Sequence, residues 1–264
     1  MFSGVLKKMI TEYNSPITYF LDFKNDFLVL NQILNKNIEI ILNGYECLNC
    51  KSDEIIFRQG FCKKCFYNIP DAGEWLMRPE LSKAHLNLKD RNLEYEKIIQ
   101  LQPHIIYLAL SSHVKVGITR SSQIPNRWID QGAHEAIAIA EVPNRYLSGV
   151  GEVALKEHFS DKTNWRKMLQ NEFNSINWNE YIEKAKTHIP NELQKYLIKK
   201  ILTPTKIKYP LNKSPRKVKS LNLKKEKTFK GELKGIKGQY LIFDDDTVFN
   251  IRANEGLVVK INLS

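Results

Sequence analysis

The chain has 264 residues, 42% hydrophobic and 26% charged, with a formal net charge of +11 and a pI near 9.3. That length can bury one sizeable core or two modest ones, and the composition is that of an ordinary soluble protein. No apolar run approaches the roughly 18 residues that cross a bilayer, and the start, MFSGVLKKMITEYN, has no sustained apolar core ahead of a small-residue cleavage site. Neither a membrane span nor a signal peptide is expected, and the cytoplasm is the expected compartment.

Residues 1–43 read as a β-meander that recurs at the other end of the chain, in residues 229–264. FSGVLKK (2–8) matches FKGELKG (229–235), and ITYFLDF (17–23) matches QYLIFDD (239–245). FLVLNQI (27–33) stands against VFNIRAN (248–254), and each copy ends in an aliphatic strand, NIEIIL (37–42) or LVVKIN (257–262). A meander of about 40 residues is too small to bury a core alone. The two ends are therefore expected to pack together and close a small β-barrel or sandwich.

Residues 44–70 hold all four cysteines, Cys47, Cys50, Cys62 and Cys65, spaced C-x2-C-x11-C-x2-C. Two CxxC knuckles supply four thiolates for one tetrahedral zinc at about 2.3 Å. The residues between them suit a hairpin, with Gly44 and Gly60 giving the backbone room to wrap a metal. Two disulfides or a redox CxxC are the competing readings, but thiols stay reduced in the expected compartment. With four protein ligands no position remains open for water, so the zinc would be structural.

Residues 71–103 read as a helical connector, with Pro79 opening one helical stretch and LKDRNLEYEKIIQL forming another. His85 and the pair Asp90–Arg91 stand out there, but a lone histidine is more often a hydrogen-bonded surface or core residue.

Residues 104–202 read as the central α+β domain. Strands are expected at 105–110, 114–118 and 136–142, and helices at 124–131, 146–159, 165–173, 178–186 and 191–202. Gly149 and Gly151 allow another backbone to approach Glu152, and Asp161 or Thr163 is placed to cap the helix that follows. Tyr107, then KVGIT (115–119), then Arg127 eight residues on, then Glu152 in GEVALKEHFSDKTNW, resemble the GIY-YIG nuclease superfamily. Lys115 stands where that superfamily has its second tyrosine, Gln131 where a histidine follows the arginine by one helical turn, and Asn164 near the position of a later asparagine. With KVGITRSSQIPNRWIDQGA, VPNRYLSG, GEVALK and DKTNWRKML, nearly the whole chain also resembles a bacterial and archaeal family described only as a domain of unknown function. That family places a zinc ribbon before a GIY-YIG-like core.

The resemblance implies a metal-dependent phosphodiesterase. Tyr107 would be the base, Lys115 the charge that lowers the tyrosine's pKa, Arg127 the fork on the phosphate, and Glu152 the ligand of Mg²⁺ or Mn²⁺. Arg120, Arg145, Lys162, Asn164 and Arg166 are candidate nucleic-acid contacts, and Trp128 and Trp165 candidate stacking platforms. Each has a plainer reading: Tyr107 as a packing aromatic, Lys115 as a charge that blunts an edge strand, Arg127 and Glu152 as a salt bridge. A non-catalytic DNA- or RNA-binding protein, or an RNA-modifying or translation-associated factor, is the alternative function.

Residues 203–228 read as a basic linker. Between 203 and 230 ten cations, among them Lys213, Arg216, Lys217, Lys224, Lys225 and Lys227, face Glu226 alone, and so carry most of the net charge. One-signed charge suits phosphate tracking by counterion release; a solvated tether is the simpler reading.

Overall fold

The computed structural model describes residues 1–24, 26–160, 162–200 and 203–263. In chain order the strands and helices are β1 (Phe2–Val5), β2 (Ile10–Glu12), β3 (Thr18–Phe23), β4 (Asp26–Val29), β5 (Asn37–Tyr45), α1 (Lys63–Asn68), α2 (Leu93–Gln100), β6 (His104–Leu110), β7 (Val114–Arg120), α3 (Asn126–Asp130), β8 (Glu135–Val142), α4 (Arg145–Lys156), α5 (Trp165–Leu169), α6 (Trp178–His188), β9 (Thr205–Lys206), β10 (Lys219–Ser220), α7 (Leu223–Glu226), β11 (Thr228–Lys237), β12 (Tyr240–Phe243), β13 (Thr247–Asn250) and β14 (Leu257–Leu263). This is an α+β chain in two units, one of residues 1–67, 169–171 and 207–264, the other of 68–168 and 172–206. No helix among the described residues is long and apolar enough to cross a membrane.

In the first unit the sequence repeat becomes a strand exchange. β5 and β14 pair antiparallel with Ile40 opposite Ile261. Each then receives the first strand of the other copy: β1 lies along β14 with Phe2 opposite Ile261, and β11 lies along β5 with Phe229 opposite Ile40. Neither copy completes its own sheet, which is why the two ends need each other. Of the expected barrel or sandwich, no closed barrel forms among the described residues: seven strands run β1-β14-β5-β11-β12-β13-β10, and β2-β3-β4 make a separate sheet. The cause is a break in the first copy. β11 runs unbroken, with a bulge near Leu233, into its hairpin with β12. The matching stretch of the first copy stops at Val5 and restarts at Ile10, because Leu6 bonds to Leu257 while Met9 is held by the Gln239 side chain.

Residues 207–228 belong to this same unit, so the expected linker is a packed segment. Ile207, Tyr209, Leu221 and Leu223 are buried, β10 pairs parallel with β13, and the backbone N–H groups of Arg216 and Lys217 donate to the Asp246 carboxylate at 3.0 and 3.2 Å. The lysines between the buried positions stay exposed.

The second unit is built on the antiparallel sheet β7-β6-β8-β9. Even-numbered residues of β6 and β7, including Ile106, Leu108, Val116 and Ile118, join Leu155 of α4 and Ile182 of α6 in one core. The expected connector helix at Pro79 is a chain of 3-10 turns, and α2 starts only where the Asn92 side chain accepts the Tyr95 N–H at 2.9 Å. Asn164, rather than Thr163, caps α5 by accepting the Lys167 N–H; Asp161 lies outside the described residues. The helix expected at 191–202 is a 3-10 stretch, Asn191–Tyr196, followed by extended chain, with residues 201–202 outside those described.

Candidate functional site

Within the second unit, β6, β7, α3 and α4 each send a polar side chain into one pocket of about 210 Å³. Tyr107 stands directly opposite Gly117 in the β6–β7 pairing, and this pair explains the glycine. A Cβ at position 117 would sit 2.6 Å from the Tyr107 hydroxyl, so any side chain there would displace the ring. Two residues before Gly117, Lys115 also lines the pocket and is nearly fully buried. Arg127 enters from α3, and Gln131, one turn beyond it, accepts the Tyr107 hydroxyl proton at 3.0 Å.

α4 contributes the remaining wall. Asn144 caps the helix by accepting the Leu147 N–H at 2.9 Å. Gly149 lets it lie against the Pro79–Leu81 turn, where a Cβ would come within 2.3 Å of the Glu80 backbone. Arg145, the first helical residue, donates to the carbonyls of Trp75 and Leu76 at 3.1 and 2.9 Å, and its guanidinium lies 5.4 Å from the Trp75 ring centroid. Burial lowers its pKa to about 10, with Glu152 pulling the other way. Glu152 lines the pocket two turns on, its carboxylate 3.5 Å from the Lys156 ammonium.

Four cations, Lys115, Arg127, Arg145 and Lys156, thus share the pocket with the carboxylate of Glu152, an arrangement that favours an anionic ligand. Burial dominates Tyr107 and raises its pKa above the usual phenol value, although the Arg127 charge and hydrogen bonds with Arg127 and Gln131 work to lower it. The hydroxyl is a neutral hydrogen-bonding group at physiological pH.

The four residues read as catalytic, Tyr107, Lys115, Arg127 and Glu152, are therefore brought together. Of the wider set, Arg145 alone joins them. Trp128 is buried, 3% exposed, with its ring edge-on to Tyr107 at 5.9 Å, so it is core and not a stacking platform. Arg120, Lys162, Asn164, Trp165 and Arg166 do not line the pocket; Arg166 instead lies over the Trp165 ring at 4.3 Å. His85 stacks on Tyr146. Sequence reading named Gln131 by its place one turn after Arg127 but gave it no role, and it missed Lys156 and the anchoring of Arg145. Lys156 did leave a signal, because Glu152 and Lys156 are four apart on one helix face.

The first unit carries the cysteine cluster. The sulfurs of Cys47, Cys50, Cys62 and Cys65 all lie within 4.8 Å of one another, and all four cysteines are free thiols. Two hydrogen-bonded turns bring them together: the Lys51 N–H returns to the Cys47 carbonyl, and the Phe61 N–H to that of Arg58. The second turn needs left-handed backbone at Gln59 and Gly60, with φ of 52° and 79°, as in a tight hairpin. Hydrogen bonds with Ser52 pull Cys50 down to about 6. At Cys62 a backbone N–H of Cys65 lowers the pKa, but burial and the neighbouring thiols push it up to about 12. Four sulfurs so close together could hold one metal ion between them.

Fold and site define a two-unit α+β protein with a clustered tetrathiol in one unit and a cation-lined pocket in the other. The chain belongs to the family described as protein of unknown function (DUF2797), whose model matches residues 35–259. No curated protein and no solved structure matches it.

Proposed function

We propose that this protein acts on nucleic acid through the pocket of its second unit, as a metal-dependent phosphodiesterase of GIY-YIG-like type. The observation that carries the reading is the convergence of Tyr107, Lys115, Arg127 and Glu152, in the order the superfamily resemblance implies, on a pocket with a majority of cations. Glu152 fits as the protein ligand of Mg²⁺ or Mn²⁺, since such ions take one carboxylate and several waters; Lys156 would have to yield the carboxylate. A bound ion supplies an activated water and charge for the leaving oxygen. Arg127 and Arg145 grip the phosphate oxygens, and Arg145 arrives already oriented by two carbonyls. Tyr107, held protonated, positions Arg127 instead of taking a proton. Water would add to phosphorus as the bond to the leaving oxygen breaks, the proton shed by the water passing to bulk solvent and the leaving oxygen taking one up from solvent. The cysteine cluster is read as one structural zinc site, with Cys47, Cys50, Cys62 and Cys65 as its ligands.

The test pairs cleavage of duplex DNA, single-stranded DNA and tRNA under Mg²⁺ or Mn²⁺ with binding to the same substrates. Glu152→Gln is expected to abolish cleavage and leave affinity nearly intact, whereas Arg127→Ala weakens both. A second reading, non-catalytic DNA or RNA binding, is favoured by the neutral tyrosine and the Glu152–Lys156 pair. Binding without cleavage by the natural chain would decide for it.

A further inference from the structure

The ribbon of the first unit displays aromatic rings that its cysteine cluster does not explain. Phe57, Phe66 and Tyr67 form a mutual cluster, with centroids 5.3 Å apart for Phe57–Phe66, 5.8 Å for Phe57–Tyr67 and 5.4 Å for Phe66–Tyr67. Holding four sulfurs together requires none of them. Phe57 nevertheless remains 39% exposed and Tyr67 57% exposed, and neighbouring exposed apolar groups of this size mark a binding surface more often than a packing accident.

Charge selects the partner. The Arg58 guanidinium lies 5.3 Å from the Phe57 centroid. Lys63 and Lys64, on α1, are exposed and stand three residues before Phe66 and Tyr67, on the same helical faces. From Phe57 to Asn68 the sequence has cations and no acid; the acids Asp53 and Glu54 precede Ile55, in the other knuckle's loop. Rings flanked by cations match a ligand that alternates flat π faces with phosphates. A protein partner would be met better by an apolar patch with mixed charges around it.

We propose that Phe57 and Tyr67, with Arg58, Lys63 and Lys64, form a stacking platform for the unpaired bases of single-stranded nucleic acid, independent of the pocket in the second unit. The experiment titrates the full-length, zinc-loaded chain with two fluorescein-labelled probes, a short oligo-dT and an abasic oligomer of equal length and charge. Tyr67→Ala is expected to weaken oligo-dT binding about fivefold or more and to leave the abasic oligomer unchanged. Tyr67→Phe, which keeps the ring, should restore the affinity. Arg58→Ala should weaken both probes. Zinc content and melting temperature matching those of the natural chain show that each variant is folded; if Tyr67→Ala fails that check, the natural chain's preference for oligo-dT over the abasic oligomer decides alone. Equal affinity for the two probes, no binding of either, or a folded Tyr67→Ala that binds oligo-dT normally would overturn the proposal.

Discussion

Tyr107 and Gly117 behave as one unit, because the absence of a side chain on β7 makes room for the hydroxyl that reaches Gln131 and Arg127. Gly117→Ala is expected to cost about 1–3 kcal/mol through overpacking, measured by urea unfolding. Lys237 offers a second residue-scale test. It is fully buried in the first unit, donates to the Asn171 side chain at 2.8 Å and lies 5.5 Å from the Tyr209 ring. Burial drives its pKa from 10.5 to about 7. Below about pH 7 the amine is charged in both folded and unfolded chains, so the burial penalty is present in full. Between about 7 and 10.5 only the unfolded chain holds the proton, and stability rises with pH through that window. Lys237→Met should therefore be more stable than the natural chain at pH 7, by about 1–3 kcal/mol. Denaturation at pH 7 and pH 10 should show that advantage shrinking.

At the scale of elements, the two knuckles and α1 join a ring cluster of Phe57, Phe66 and Tyr67 to a sulfur cluster tied by hydrogen bonds, with Asn49 donating to Cys65 and the Cys62 N–H to Cys47. Elemental analysis should find one zinc per chain. Chelation should release Arg58, Lys63 and Lys64 to trypsin, all three being already exposed. Unchanged proteolysis after metal removal would mean that backbone bonds alone hold the ribbon. α4 shows the other way a short sequence feature sets an element: Gly149 was readable as a point of close approach, while the turn it meets, Pro79–Leu81, was not. Nothing local to the glycine specifies which backbone lies against it.

At the scale of the molecule, the charge of residues 203–230 is legible in sequence and its placement is not. Lys213 and Lys219 donate to the carbonyls of Asp244 and Asp245, which leaves Lys224, Lys225 and Lys227 as exposed cations better able to meet phosphates. Replacing those three by glutamine should make log affinity for nucleic acid fall less steeply with log salt, by roughly 0.7–0.9 for each lost contact. An unchanged slope would make the segment merely a solvated face of the sheet.

Tyr107, Lys115, Arg127 and Glu152 were marked by an order that resembles a known superfamily. Local chemistry was instead enough to locate the cysteine cluster and the β6–β7 hairpin, because metal spacing and strand alternation act over a few residues. The end-to-end repeat was legible for the same reason. Its consequence was decided only in three dimensions. Each copy gives its first strand to the other, and one break after Val5 keeps the sheet from closing. Long-range packing likewise buried Trp128 under Tyr107, supplied Gln131 and Lys156 to the pocket, and raised the pKa of the tyrosine. Burial and proton affinity depend on every group that surrounds a side chain, and for these residues most of those groups lie far away along the chain.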